Sequence, residues 1–297
     1  MNGFINLLKP SGMTSSDAVL AVRRLLPRGT AVGHGGTLDP EAAGVLPVCV
    51  GKATRLFDYI IDKSKVYIGE LLLGVSTDTE DATGKILSAS DASRVSEETL
   101  KDTLKLFVGD IMQVPPMYSA LKLSGEPLYR KARKGESLEL TARNVRIDAI
   151  DLLGTSGENR YMLKITCGKG VYIRSLMRDI GQRLGVGGCM SFLVRAKAGT
   201  LDVGGSLSLD ELSSLENISD ALLPMDAMLT AYPKATLDAS KRANVLNGQS
   251  FNYGQLAQCD ARPGDVLRLY VESEFAGMAT MDGEGRVKIN AMLLERE

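Results

Sequence analysis

The chain has 297 residues, of which 44% are hydrophobic and 24% charged, and its net charge at pH 7 is −1. These values are typical of a globular protein and give room for one large domain and one small one. They exclude a transmembrane helix, because no stretch approaches about 18 uninterrupted apolar residues, and residues 1–8 lack the pattern of a secretory signal.

Periodicity and turn signals predict alternating strands and helices over the first two thirds of the chain. In chain order we expect a strand at 3–8, a helix capped by Ser15 or Ser16, a strand at 45–50, a short helix at 51–61 and a strand at 65–74. A helix at 96–107 follows, and then strands at 144–153 and 161–167 that are joined by a turn at 154–157. A helix at 173–184 and a strand at 190–203 complete this part. The last of these helices has an apolar stripe. Arg174, Arg178 and Arg183 lie largely outside the stripe, where most arginines are solvated.

The C-terminal part of the chain has a different pattern. Residues 224–233 are interpreted as a domain boundary, and short alternating segments beyond it, at 266–271, 275–281 and 287–289, predict a small β-rich domain. Before the boundary, Ser208 and Glu211 form a capping box for a short helix. The acidic segment 77–84 lacks the ligand and glycine pattern of a calcium loop, so we interpret it as a structural turn.

The charge is unevenly distributed along the chain. Residues 113–199 hold 15 Lys and Arg against 7 Asp and Glu, a net of +8, whereas residues 1–112 have a net of −2 and residues 200–297 a net of −7. The basic part includes LYRKARK at 128–134. Such a segment is typical of a phosphate-binding surface, and a solvated, salt-tolerant surface is the alternative.

The segment 31–40, AVGHGGTLDP, is the strongest candidate for a catalytic loop. It contains three glycines, the only histidine of the chain, His34, and one carboxylate, Asp39. Glycines allow a left-handed backbone or the close approach of a ligand, and Pro40 biases Asp39 towards an extended conformation. A glycine-bounded loop that is anchored by a buried strand can expose a catalytic acid to a substrate. The alternative interpretation is an ordinary tight turn.

Common cofactor motifs are absent from the sequence. No G-x-G-x-x-G follows a strand, residues 44–52 do not have P-loop spacing, and no serine lies in a G-x-S-x-G elbow. One histidine and four widely spaced cysteines give no usual zinc set, and we expect the cysteines to be reduced, buried thiols of a cytoplasmic protein. An enzyme with this sequence is therefore expected to use a carboxylate as nucleophile or base, without a metal or redox cofactor.

A series of motifs runs through the first 199 residues. They are NLLKPxGMTS at 6–15, HGGTLDP at 34–40, AxGxLP at 42–47, GxAT at 51–54, KxY at 65–67, GxxTDT at 74–79, VPPMYSALK at 114–122, KGxYIR at 169–174 and LxRxxxG at 193–199. In this order they resemble the motifs of the tRNA pseudouridine-55 synthase (TruB) family. The part beyond residue 199 resembles only loosely the reduced PUA-like domain of bacterial members.

The resemblance implies a role for each motif. Asp39 would be the essential carboxylate, which attacks the sugar or removes its 2′ proton, and Arg174 would be its ion-pair partner. Tyr67 would stack on the target base and assist removal of its C5 proton. His34 would occupy the space left by the flipped uridine, and Tyr172 and Leu193 would line the base pocket. Lys9 and Pro10 would brace the active-site loop. Lys122, Arg130 and Lys131 would bind the RNA.

The resemblance also implies the fold and the reaction. We expect an α+β protein whose mixed, mostly antiparallel central sheet is flanked by helices. Residues 1–232 would form the catalytic domain, with an RNA-gripping insertion at 114–143, and residues 233–297 a small PUA-like domain. The expected reaction is the cofactor-free isomerisation of the T-loop uridine 55 of tRNA to pseudouridine. The T stem-loop of tRNA is the expected partner, with no membrane and no obligate protein partner.

Two other functions stay open from the residues alone. A non-catalytic RNA-binding or tRNA-folding module would keep the pocket without the chemistry. A carboxylate-dependent glycoside hydrolase needs a second acid facing the same bond, and Glu41 is the only close candidate.

Overall fold

The computed structural model of the chain describes residues 1–61, 63–119, 121, 128, 138 and 140–295, together with the main chain of 122–123 and 126–127. The strands in this part of the chain are β1 (Gly3–Lys9), β2 (Val32–His34), β3 (Ala43–Val50), β4 (Lys65–Leu73), β5 (Val75–Thr77), β6 (Ile86–Ala89), β7 (Gly109–Gln113), β8 (Lys122–Leu123), β9 (Glu126–Pro127), β10 (Arg143–Gly157), β11 (Arg160–Cys167), β12 (Gly188–Ala198), β13 (Leu201–Asp202), β14 (Lys234–Leu237), β15 (Phe251–Asn252), β16 (Gln258–Cys259), β17 (Val266–Val271), β18 (Glu274–Met281) and β19 (Arg286–Met292).

The described residues also form α-helices and short 3-10 helices. The α-helices are α1 (Ser15–Arg24), α2 (Phe57–Ile60), α3 (Glu97–Lys105), α4 (Ile173–Arg183), α5 (Leu209–Ser214) and α6 (Arg242–Leu246), and the 3-10 helices are Gly51–Leu56, Val203–Gly205, Ile218–Ala221, Ala239–Lys241 and Tyr253–Gln255. Among the residues described, no helix is both long and apolar enough to cross a membrane.

A nine-stranded sheet forms the body of the molecule. Its order is β1-β3-β12-β4-β11-β10-β7, with β2 paired to β3 and β13 to β12. Only the pairing of β3 with β12 is parallel; the others are antiparallel. The predicted α+β fold with a mixed, mostly antiparallel sheet is confirmed.

Helix α4 packs on this sheet through its apolar stripe. Leu176, Met177 and Ile180 share one buried cluster with Leu71 of β4 and Leu163 of β11. Burial of such a side chain contributes roughly 1.5–3 kcal/mol to stability. The position of α4 relative to β4 is therefore fixed by packing, and so is the position of the polar residues at the start of the helix.

A second, six-stranded sheet holds the C-terminal strands in the order β15-β19-β18-β17-β14-β16. The three segments predicted at 266–271, 275–281 and 287–289 lie within β17, β18 and β19, so the β-rich C-terminal domain is confirmed. Met278 and Leu293 from this part share a buried cluster with Phe4 and Leu229. The second sheet is thus packed against the first through apolar side chains.

The cap of helix α1 differs from the prediction. Thr14, not Ser15 or Ser16, is the N-cap residue, and its hydroxyl oxygen accepts the N–H of Asp17 at 3.0 Å. The prediction was wrong because Ser15 already lies inside the helix, where its side chain points into the protein and is buried.

The turn predicted at 154–157 is also wrong. Strand β10 runs through these residues, and the chain reverses just after them, where Asn159 has a φ of 54°. Register shifts between Leu152 and Gly154 and between Thr155 and Gly157 accommodate the extra residues as bulges. Glycines in a strand often mark such bulges rather than a turn.

Two further elements differ from the prediction. The helix predicted at 51–61 consists of a 3-10 helix followed by the four residues of α2. The strand predicted at 190–203 begins at Gly188 and ends at Ala198, and the chain returns as β13 after a reversal at Gly199, whose φ is 62°.

Replacement of Gly44 by alanine is expected to destabilise the fold. Gly44 has a φ of 108° in β3, and a Cβ there would overlap the main chain of Arg195 in β12. The strained backbone alone costs about 1–3 kcal/mol. Urea unfolding should therefore show a free energy of unfolding lower by about 2 kcal/mol or more for Gly44→Ala.

Gly33→Ala is the matched control for this substitution. Gly33 lies in the neighbouring strand β2, its φ is not positive, and a Cβ there meets no atom within 4 Å. Its unfolding free energy should stay within about 0.5 kcal/mol of wild type. Equal midpoints for the two variants would contradict the close approach of β3 and β12.

Candidate active site

Asp39 and Arg174 form the centre of a polar site between the loop after β2 and the start of α4. The Nε and Nη2 atoms of Arg174 donate to the two carboxylate oxygens of Asp39 at 2.8 and 2.9 Å. Two parallel hydrogen bonds fix the direction of the carboxylate. The Arg174 side chain is 4% exposed, whereas that of Asp39 is 33% exposed. A buried cation therefore holds an acid that remains open to solvent.

Further oxygen atoms surround the Arg174 guanidinium. Its Nη1 donates to the main-chain oxygen of Thr79 at 3.0 Å and its Nη2 to that of Tyr118 at 2.8 Å. A carboxylate oxygen of Asp81 is 4.0 Å from its Nε. Burial acts to lower the pKa of Arg174, but Asp39 and Asp81 outweigh burial and raise the pKa. The guanidinium therefore stays charged.

The acidic turn at 77–84 supports helix α4. Thr79 accepts from Arg174, and Glu80, the next residue, forms an ion pair with Arg178 one turn further along the helix. The interpretation of this segment as a structural turn is consistent with these contacts. Arginines beside an apolar stripe are usually solvated unless they have a special partner. Both have one here: Arg174 binds Asp39 and the main-chain oxygens of Thr79 and Tyr118, and Arg178 pairs with Glu80.

A second buried arginine, Arg195 of β12, holds the loop that precedes Asp39. It is 1% exposed, and its guanidinium donates to the main-chain oxygens of Gly36 at 3.0 Å, Thr37 at 3.3 Å and Val45 at 2.8 Å. Of the three loop glycines, only Gly36 has a positive φ, of 125°. This conformation brings two successive carbonyl groups within reach of one guanidinium.

Lys9 binds the loop on the other side of Asp39. It is fully buried, and its Nζ donates to the main-chain oxygens of Pro10, Met13 and Pro40 at 2.7, 2.5 and 3.0 Å. Burial lowers the pKa of Lys9 to about 8, although the charge of Glu41 opposes the change. Lys9 thus contacts the loop that it is predicted to brace, and its role in the reaction stays a prediction.

Tyr67 lies on β4, directly opposite Arg195 of β12 in the strand register. Its side chain is buried. Burial raises the pKa of this hydroxyl, which the charge of Arg195 opposes and that of Asp39 reinforces. The phenol is therefore neutral at neutral pH, close to both the loop and the acid.

Tyr172 is the N-cap residue of α4, two residues before Arg174. Its main-chain N–H donates to Oε1 of Gln113 at 2.9 Å, and its main-chain oxygen accepts from Nε2 of Gln113 at 3.1 Å. Gln113 is buried at the end of β7, so this amide pair ties the edge of the sheet to the start of α4. Burial raises the pKa of the Tyr172 hydroxyl.

His34 and Leu193 complete the set of expected pocket residues. His34 ends β2, and its Nδ1 is buried without a hydrogen-bond partner in the part of the chain that the structure describes. Burial and the charge of Arg195 lower the pKa of His34, so its imidazole is neutral at neutral pH. Leu193 is buried on β12 beside Gly69 of β4.

Sequence comparisons identify the family of this chain. Residues 23–173 match the model of the TruB family pseudouridylate synthase N-terminal domain, and residues 174–230 match that of the tRNA pseudouridylate synthase B C-terminal domain. The chain belongs to the TruB family. A tRNA pseudouridine synthase B from Alkaliphilus oremlandii is 40% identical over the whole of both chains, and one from Clostridium kluyveri is 43% identical over 94% of this chain and 95% of that relative.

Solved structures with the same fold include a chain of an H/ACA ribonucleoprotein bound to a substrate RNA containing 2′-deoxyuridine. It is 25% identical to this TruB family member, with a TM-score of 0.76 over 99% of this chain and 86% of that chain. A chain of a Cbf5-Nop10-Gar1 complex is 27% identical, with a TM-score of 0.75 over 99% and 84% of the two chains.

The structure brings three of the residues that the TruB motifs implied close to Asp39. The charge of Asp39 acts on the hydroxyls of both Tyr67 and Tyr172, and Arg174 contacts it directly. The main chain of Lys122 belongs to β8, and the Lys122 side chain, Arg130 and Lys131 lie outside the described residues. The roles of all these side chains stay predictions.

Sequence reasoning missed the residues that support the site. Arg195 is contained in the LxRxxxG motif. It lies two residues after the apolar Leu193 on the same strand, so both side chains point to the same face, and this spacing was a signal that Arg195 points inward. Gln113 directly precedes the VPPMYSALK motif and gave no such signal. Among the described residues, no three His, Cys, Asp or Glu side chains are grouped so as to hold a metal ion.

The rate of the reaction is expected to fall as the pH rises through about 8, the pKa of Lys9. Loss of its proton leaves two N–H groups for three main-chain oxygens, so the loop that carries Asp39 loses a contact. Single-turnover rates measured across this pH range test the expectation.

Lys9→Met is the control for this pH profile. It is expected to be slow at every pH, because all three contacts are lost, and to lack the alkaline fall. A wild-type rate that is constant through pH 8, or the same fall in both proteins, would contradict the assignment to Lys9.

Proposed function

We propose that this protein isomerises the T-loop uridine of tRNA, at position 55, to pseudouridine. The observation that carries the proposal is the two-point contact between buried Arg174 and the solvent-open carboxylate of Asp39 in a chain of the TruB family. The relatives named tRNA pseudouridine synthase B, which match nearly all of this chain, support tRNA as the substrate.

The proposed reaction balances without any cofactor. The bond between ribose C1′ and uracil N1 breaks, and a bond between C1′ and C5 forms. The proton on C5 is lost and N1 gains one, so nothing is oxidised or reduced. Asp39 either attacks C1′ or removes the 2′ proton, and both routes need an ionised carboxylate. The Arg174 guanidinium binds both carboxylate oxygens and fixes their direction.

The neighbouring side chains are assigned the roles that the resemblance to the TruB motifs implies. Tyr67 stacks on the base, and its neutral hydroxyl assists removal of the C5 proton. Tyr172 and Leu193 line the base pocket. His34 packs against the RNA where the uridine has left the stack. Its Nδ1 is buried and has no hydrogen-bond partner among the described residues.

Recognition of the T stem-loop is assigned to the basic part of the chain. Residues 113–199 carry a net charge of +8, and the whole of the insertion at 114–143 falls in this part. Phosphate contacts supply most of the affinity, and flipping the target base costs a few kcal/mol. We assign the catalytic domain to residues 1–232 and the small domain to 233–297, and we expect a cytoplasmic enzyme that needs no protein partner.

The test is a reaction of the purified protein alone with an unmodified tRNA transcript. After digestion to nucleosides, liquid chromatography with mass spectrometry separates pseudouridine from uridine by retention time. Wild type should form pseudouridine. Asp39→Asn should form none, while its tRNA dissociation constant stays within about threefold, because phosphate contacts dominate binding.

Glu41→Gln is the control variant, since Glu41 is an exposed acid two residues from Asp39. It should keep its activity, and loss of activity in both variants would favour chemistry by two acids. Product formation by Asp39→Asn would contradict the role of Asp39. Binding of tRNA by wild type without any product would identify a non-catalytic RNA-binding module.

A further inference from the structure

Ser15 makes an unusual contact with the residue that precedes Asp39. Its side chain is buried at the start of α1, and its Oγ lies 2.9 Å from both the main-chain nitrogen and the main-chain oxygen of Leu38. The hydroxyl therefore accepts from the N–H and donates to the C=O of the same residue. Leu38 is itself buried in the cluster under α4.

This double contact selects one backbone conformation. The N–H and C=O of a single residue point to the same side only when its backbone is extended, as in a hydrogen-bonded pair of an antiparallel sheet. A hydroxyl can serve both groups because it is one donor and also an acceptor. The Ser15 hydroxyl thus makes the two hydrogen bonds that a neighbouring strand would otherwise make to Leu38, the residue directly before Asp39.

The other residues of the loop are held by other groups. Arg195 binds the carbonyls of Gly36 and Thr37, and the carbonyl of Pro40 accepts from both Lys9 and the N–H of Gly12. In the described part of the chain, the main chain of Leu38 has no hydrogen-bond partner apart from Ser15. The hydrogen bonds of Ser15 therefore hold the main chain of the residue that leads into Asp39, while its side chain is held by the core cluster.

We propose that Ser15 is a positioning residue for the reaction: its hydroxyl sets the backbone of Leu38 and thereby aims the Asp39 carboxylate. This inference rests on the proposed function. Ser15 touches neither the carboxylate nor Arg174 through the hydrogen bonds described, so it acts through the main chain. A small displacement of a reacting group lowers a rate strongly, by about 100-fold for 1 Å.

The test compares four variants in single-turnover reactions at saturating tRNA, with the tRNA dissociation constant and the urea midpoint measured alongside. Ser15→Ala removes both contacts, and its rate should fall by about 10- to 100-fold. Its dissociation constant should stay within about threefold of wild type, because no phosphate contact is lost. Ser15→Thr keeps the hydroxyl and should recover most of the rate.

Ser16→Ala is the matched control, because Ser16 is the next residue of α1 and is exposed. It should react at the wild-type rate. Ser15→Cys covers the case in which Ser15→Ala does not fold: it fills the space, but sulfur is a weak donor and acceptor, so a folded Ser15→Cys should also be slow.

The outcomes separate the two proposals. An inactive wild type would overturn the proposed function. With an active wild type, a folded Ser15→Ala or Ser15→Cys that reacts within about twofold of wild type would overturn the role of Ser15, since a misplaced acid cannot retain its rate. A loss confined to tRNA binding would also overturn it, and so would failure of Ser15→Thr to react faster than Ser15→Ala.

Discussion

The contact between the Asp39 carboxylate and the Arg174 guanidinium is the interaction on which the rest of the site depends. Desolvation of a buried guanidinium costs several kcal/mol, which a paired charge and bonded N–H groups offset. Arg174 has both, through Asp39, Thr79 and Tyr118. The two partners are 135 residues apart in sequence, so the pair exists only when α4 is packed on the sheet. Loss of the Asp39 carboxylate would leave the buried Arg174 charge without this partner.

The support of Asp39 comes mainly from main-chain contacts. Arg195, Ser15 and Lys9 bind oxygens of the loop at Gly36 to Leu38 and at Pro40, and none of them occupies the carboxylate. The carboxylate is thereby left for Arg174 and for a substrate. Groups that are already oriented before the substrate arrives need no reorganisation during the reaction, which is a major source of catalytic rate. The burial of all three supporting side chains keeps water from competing for these contacts.

The parts of the fold that could be predicted from the sequence are those with a local cause. Tyr67 and Leu71 share the buried face of β4, which alternates with a more exposed face. The apolar stripe of α4 repeats at helical spacing, and the capping box from Ser208 to Glu211 closes within one turn. Each of these depends on neighbours in the chain. The turn at 154–157 failed because glycines signal a bulge as readily as a turn, and only pairing with β11 decides between them.

The support of the candidate site could not be predicted in the same way. Periodicity places Arg174 beside the apolar stripe, where arginines are usually solvated, and its burial depends on groups near residues 39, 79 and 118. Arg195 and Gln113 likewise act on segments more than 50 residues away. Such contacts have no local signal. The pairing of Asp39 with Arg174 was expected only from the resemblance of motifs, and the contact itself is present in the structure.

A crystal structure of the protein with a tRNA T stem-loop bound tests the central claim most directly. The account predicts that the target uridine is turned out of its stack, with its ribose about 3–3.5 Å from the Asp39 carboxylate, as expected for reacting atoms, and with Arg174 still paired to that carboxylate. A uridine that remains stacked away from Asp39, or an Asp39 that leaves Arg174 in the complex, would contradict it.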